Sequence, residues 1–237
     1  MLDESEEGIP KDDSPQHGFQ GDRAPAPPGT GVPAALTVAL SREAGARGGT
    51  IGRRAGRKLG WQVYDQELLE YMAQNPTVSQ GMTAALKPEA AAWVEARLGR
   101  LQREHSLDQS PPVLNLARVV LSLGAQGGCV LIGRGAGCIL PTESTLHVRV
   151  VAALQERVAY MAQWLRLTAE EAAERVRMRD QRRGEFVEAH FLRQPGDVYQ
   201  YDLLLNSGLL GEDVCADLIA RAARARDERL RQAIGVS

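Results

Sequence analysis

The stretch from Leu36 to Leu59 constrains the fold more than any other part of the chain. A short apolar, β-branched run from Leu36 to Leu40 gives way to a loop holding Gly45, Gly48 and Gly49, after which Ile51, Ala55 and Leu59 recur at helical spacing. Strand, glycine loop and helix in this order make a βα unit. Glycines let a backbone curl with its N–H groups turned inward, and the following helix offers unpaired amides and a partial positive charge, so Gly45, Ala46, Arg47, Gly48, Gly49 and Thr50 together suit a phosphate. The usual phosphate-loop pattern ends in Gly-Lys-Ser/Thr. Here Thr50 is the hydroxyl available to magnesium, and Gly48, two residues before it with Gly49 between, stands at the lysine position. The loop read alone leaves two options, a phosphate cradle or a tight βα turn. A dinucleotide site is disfavoured, because Gly45, Gly48, Gly49 and Gly52 miss the G-x-G-x-x-G spacing.

The rest of the chain extends this beginning into an α/β domain. Its 237 residues, 43% of them hydrophobic, can bury one sizeable core, and length favours a single domain over residues 35–231. Residues 1–34 are acidic and then Pro/Gly-rich, with little to bury, and read as a disordered leader. A net charge of −2 gives no sign of a nucleic-acid or anionic-membrane partner. No apolar run approaches the roughly 18 to 20 residues that span a bilayer, and the acidic N-terminus lacks a signal-peptide pattern, so a cytoplasmic protein is expected. Cys129, Cys138 and Cys215 read as reduced core thiols, and His105 as a surface or interface residue.

Further strands are expected at Trp61 to Asp65, Cys129 to Ile132, Leu146 to Val151 and Tyr201 to Asn206, with largely helical pattern over 77–127. Asp65 either lies at the ligand-binding rim or caps the helix that starts at Gln66. Arg134, between Gly133 and Gly135 at the end of a buried strand, can lay its planar fork on a phosphate or pair with a carboxylate. Thr168 and Glu171 form a capping box that opens a helix carrying Arg175, Arg177, Arg179, Arg182 and Arg183 around Asp180. Arg175, Arg179 and Arg182 share a face at helical spacing. Such a run is either a solvated face or a cationic surface awaiting an anion. A turn at Ser207-Gly208 and a helix from about Glu212 to Leu230 close the pattern.

Ser41 to Gly52, Tyr64-Asp65, Ile132 to Gly135, Asp180 to Arg183 and Tyr201 to Asn206 follow in the order and wording of the cytidylate kinase-like family, which the chain resembles over about residues 35–222. The resemblance implies a P-loop nucleoside-monophosphate-kinase fold: a parallel β-sheet flanked by helices, a helical monophosphate-binding insertion over 77–127 and an arginine-rich lid over 168–195. It implies ATP and Mg²⁺ as cofactors and a small phosphate or hydroxyl acceptor, and it leaves a homo-oligomer open. Carried onto this sequence, Gly45 to Thr50 hold the donor phosphates with Thr50 on the metal, while Arg42, Asp65 and Arg134 serve the acceptor. Arg179 and Arg183 close over the transferring group with Asp180 orienting them. Gly135 stands where true cytidylate kinases carry an aspartate, so cytosine as the acceptor base is left open. The lysine lost at Gly48 has to be replaced by an arginine, for which Arg47 is the first candidate. Arg42 and Arg53 are its rivals, with Arg53 expected to point away along the helix. A binding module that kept the pocket and lost turnover is the alternative to an enzyme.

Overall fold

The computed structural model describes Pro33 and residues 35–235, so the expected leader lies, apart from Pro33, outside the described residues. Five parallel strands form one sheet in the order β2-β3-β1-β4-β5: β1 (Thr37–Arg42), β2 (Gln62–Tyr64), β3 (Cys129–Ile132), β4 (Thr145–Val151) and β5 (Leu203–Asn206). β1 lies at the centre, with Val38 opposite Val130 and Leu146, and Leu40 opposite Ile132 and Val148. Alternation along these strands sends side chains to two separate cores. Val38, Leu40, Val130 and Ile132 are buried against α1 (Gly48–Leu59) and α9 (Ser207–Ile234) on one face. Ala39, Cys129 and Leu131 are buried on the other, with α5 (Pro111–Gln126) and α6 (Ala136–Ile139). Each such Val, Leu or Ile contributes about 1.5–3 kcal/mol by leaving water.

Between β2 and β3 the chain forms α2 (Gln66–Gln74), α3 (Pro76–Ala84), α4 (Pro88–Arg103) and then α5, the last three each opening on a proline whose missing N–H costs nothing there. After β4 come α7 (Leu154–Leu165) and α8 (Ala169–Phe191), the latter begun by the expected reciprocal capping box of Thr168 and Glu171. The turn expected at Ser207-Gly208 is instead the first turn of α9, because the Asn206 side chain accepts from the N–H groups of Gly208 and Leu209. The break falls at Gly211, whose φ of 75° interrupts the helix. Cys129 and Cys215 are buried and Cys138 is half-buried, all three as free thiols.

Candidate active site

The chain leaves the sheet where the N–H of Glu43 donates to the Val150 carbonyl at 3.1 Å, and it turns where Ala46 N–H donates back to the Glu43 carbonyl at 3.3 Å. Gly45 (φ 82°) and Arg47 (φ 59°) take left-handed conformations that curl the loop. A β-carbon on Gly45 would meet the Arg157 carbonyl at 2.6 Å, so glycine is required there. Arg47 is the N-cap of α1, no side chain caps that helix, and its first turn holds no acidic residue. First-turn amides have no intrahelical acceptor, so those of Gly48, Gly49 and Thr50 are left for an anion.

Three side chains hold the loop from outside. Ser207 Oγ donates to the Ala46 carbonyl at 2.8 Å and the Val151 carbonyl at 3.2 Å. Arg157, on α7, donates to the carbonyls of Ala152 (3.0 Å) and Ala44 (3.2 Å) and pairs with Asp180 at 2.5 Å and Glu43 at 3.4 Å. Asp180 also accepts from the Ala44 N–H at 2.6 Å. The carboxylate of α8 therefore clasps the loop backbone and Arg157 together, which positions α8 as well as its arginines. Sequence reasoning missed Arg157, since nothing local marks the fourth residue of a helix as a loop partner.

Three guanidinium groups converge at the carboxyl end of the sheet, each from a different element. Arg42 comes from the end of β1, Arg134 from the turn after β3, and Arg183 from α8. Arg183 Nη1 donates to the Arg42 carbonyl at 3.3 Å. Arg134 pairs with Glu70 and lies 4.7 Å over the Phe186 ring. Arg42 Nη2 donates to Gln66 Oε1 at 3.2 Å. Burial lowers all three pKa values from the usual arginine value, and the neighbouring cations add to it: Arg183 and Arg134 act on Arg42, and Arg183 acts on Arg134. For Arg183 the cations are Arg179 and Arg149, opposed by Asp180. Arg42 is pushed down to about 9, so it still carries its charge at pH 7. Most of the lowering is lost hydration and the remainder is cation beside cation, and a polyphosphate would offset both.

Asp65 caps α2, accepting from Leu68 N–H at 3.2 Å, and lies near enough to Arg42 to favour its charged form. Both of its expected uses are thus compatible. Arg179 is half-buried within electrostatic reach of Arg183. Arg175 and Arg182 are exposed, so the face they share with Arg179 is not the inner one; Val176, Asp180 and Arg183 line that. Arg47 is turned away from the cationic centre, 3.8 Å from Glu212 and 5.2 Å over Tyr160. It borders a shallow hollow of about 330 Å³ with Glu156, Tyr160 and Gln163. Arg53, expected to point along the helix, folds back over Gly49 and reaches Asp65 at 4.0 Å.

Among the described residues no group of three or more His, Cys, Asp or Glu could hold a metal. Mg²⁺ bound mainly through substrate phosphates needs few protein ligands, and Thr50, half-buried in the first turn of α1, fits that role. Gly135 (φ 66°) abuts the Phe191 ring, which leaves no room for an aspartate at this position.

Comparison with known proteins adds four findings. The model of the cytidylate kinase-like family matches residues 37–209. A uronate isomerase from Corynebacterium glutamicum is 29% identical over 144 residues, which are 60% of this chain and 25% of that protein. The chain thus spans about a quarter of the length of that curated relative. An uncharacterized protein from Eubacterium ventriosum superposes with a TM-score of 0.57 at 15% identity over 80% of this chain and 98% of its own, a likeness of fold. A shikimate kinase from Bacteroides thetaiotaomicron reaches a TM-score of 0.40 at 14% identity, over 85% and 99% of the two chains, too loose to argue from.

Proposed function

Because the chain belongs to the cytidylate kinase-like family, we propose that it transfers a phosphoryl group from ATP to a small acceptor that itself carries a phosphate, a nucleoside monophosphate being the first choice. The observation that carries this reading is the convergence of Arg42, Arg134 and Arg183 beside an uncapped helix start. In the transfer an acceptor oxygen bonds to the γ-phosphorus while the bond from that phosphorus to the β–γ bridging oxygen breaks, leaving the electron pair on ADP. A phosphate acceptor arrives deprotonated and needs no general base. That suits a site where Glu43, Asp65, Glu70 and Asp180 each already serve an arginine or a backbone amide.

The chain's own residues act by position and charge. Arg134 exchanges its Glu70 partner for the acceptor phosphate, and Arg183 follows the charge that develops on the transferring oxygens. Thr50 would hold Mg²⁺, which would supply positive charge to offset that of the donor phosphates. The hollow at Arg47, Tyr160 and Gln163 offers the donor base a ring face and an amide. The test is purified full-length protein with ATP, Mg²⁺ and a panel of nucleoside monophosphates and small hydroxyl acceptors. Phosphorylated monophosphate is the expected product. Nucleotide binding without product at near-stoichiometric protein would overturn the enzyme reading and leave a nucleotide-binding module.

A further inference from the structure

The lysine position of the loop is glycine, and the structure shows what fills the room. A β-carbon on Gly48 would lie 2.5 Å from Arg42 Cβ, 2.9 Å from Arg42 Cγ and 3.4 Å from Leu40 Cδ2. No side chain can leave the backbone at position 48 while Arg42 is present. With Gly48 at the lysine place that the family resemblance gives it, two residues before Thr50, counting back through G-x-x-x-x-G-K puts Arg42 at the first glycine of the pattern. Its guanidinium runs on to Gly133, where even a β-carbon would strike Nη1, and to Gln66. Gly133, at φ 85°, is thus open to the same guanidinium.

We infer that arginine and glycine have exchanged places in this loop. Arg42, from the strand end, supplies the charge on the donor phosphates that the lysine of the usual pattern supplies from the helix start. This rests on the phosphoryl-transfer reading above. Of the two rival arginines, Arg47 is engaged with Glu212 and Tyr160, and Arg53 lies over Gly49 on the outer side of the loop, paired with Asp65 at 4.0 Å through exposed side chains. Arg42 has no carboxylate within ion-pair distance among the described residues, and it stands beside the acceptor-side Arg134 and the lid Arg183. An arginine here keeps its charge when buried, and its fork can engage two oxygens at once.

A stability cycle and a titration test this with the full chain. In the cycle, Gly48→Ala lowers the Tm of the wild type by several degrees and lowers it far less in an Arg42→Gly background, since the colliding stem is gone. In calorimetry with ATP·Mg²⁺ and with inorganic tripolyphosphate, Arg42→Ala weakens binding at least tenfold, and Arg47→Ala weakens it less. Turnover falls about a hundredfold in Arg42→Ala, as for loss of one transition-state donor, and Arg42→Gly/Gly48→Lys recovers part of the Arg42→Gly loss. Equal Gly48→Ala penalties in the two backgrounds, or polyphosphate binding unchanged in Arg42→Ala, would overturn the exchange. If Arg42 passes both tests while the wild type phosphorylates nothing in the panel, the exchange stands and the kinase reading fails. Turnover by a wild type whose Arg42→Ala variant is equally active does the opposite.

Discussion

The two faces of α8 carry the same residue type to opposite ends. On the inner face, Val176 is fully buried, Asp180 clasps the Ala44 amide and Arg157, and Arg183 reaches the Arg42 carbonyl. On the outer face, Arg175, Arg177 and Arg182 lie in solvent, and Arg177 has only its i−3 neighbour Glu174 at 3.1 Å. An exposed pair of that kind contributes about 0–1 kcal/mol. What separates the faces is desolvation: water screens the outer guanidiniums from one another, whereas the inner ones stand among other cations with much of their hydration removed. The inner face is therefore the one that gains most from a bound anion.

The largest expected effect is on turnover. Arg183→Ala should lower it by about a hundredfold, roughly 3 kcal/mol of transition-state stabilisation. The comparison breaks if Arg182→Ala, one residue away on the outer face, has the same effect in the same assay. A pH titration sharpens it from the side of burial without catalysis. His147, 7% exposed on β4, is pushed down to about 4 by burial, with Asp202 opposing and Arg226 and Arg193 adding. Its native value lies below the ordinary 6.5, so the unfolded chain binds more protons between those two pH values. Stability is then fully present above about pH 6.5 and is lost as the pH falls toward 4, by up to about 3 kcal/mol; denaturant melts should show this slope, and His147→Gln should flatten it.

Next comes the clasp. Asp180→Asn should cost about 2 kcal/mol by weakening the partner of Arg157, whose side chain is 11% exposed, and of the Ala44 amide. For a domain of this size that is a fall of about 4–8 °C in Tm. An unchanged Tm would show that α8 is held by its apolar contacts alone. The smallest effect belongs to the outer face, where Arg182→Ala should stay within about 0.5 kcal/mol of wild-type stability and leave turnover near its starting value. A large loss there would mean that the two faces exchange roles when substrate binds.

Much of this molecule is written in local pattern. The buried run Cys129 to Ile132, the β-branched Thr37-Val38 that open β1, and the Thr168 to Glu171 capping box follow from side-chain period and backbone hydrogen-bond needs, which neighbours along the chain suffice to set. The glycine loop and the arginine run also announced a phosphate chemistry, since both are residue types chosen for anions. Which arginine does what was not legible. Arg42, Arg47 and Arg53 differ little as letters, and the register of β1 against β3, with the close approach of β1 to the start of α1, sends Arg42 across Gly48 and Gly133. Likewise, spacing grouped Arg175, Arg179 and Arg182, but the face that turns inward is fixed by Val176 entering a small core with Ala44, Met161 and Ala172. Sequence determined the strands, the helices and the kind of charge at the site. Tertiary packing decided which of those charges lose their water, because desolvation depends on distant neighbours that no local spacing records.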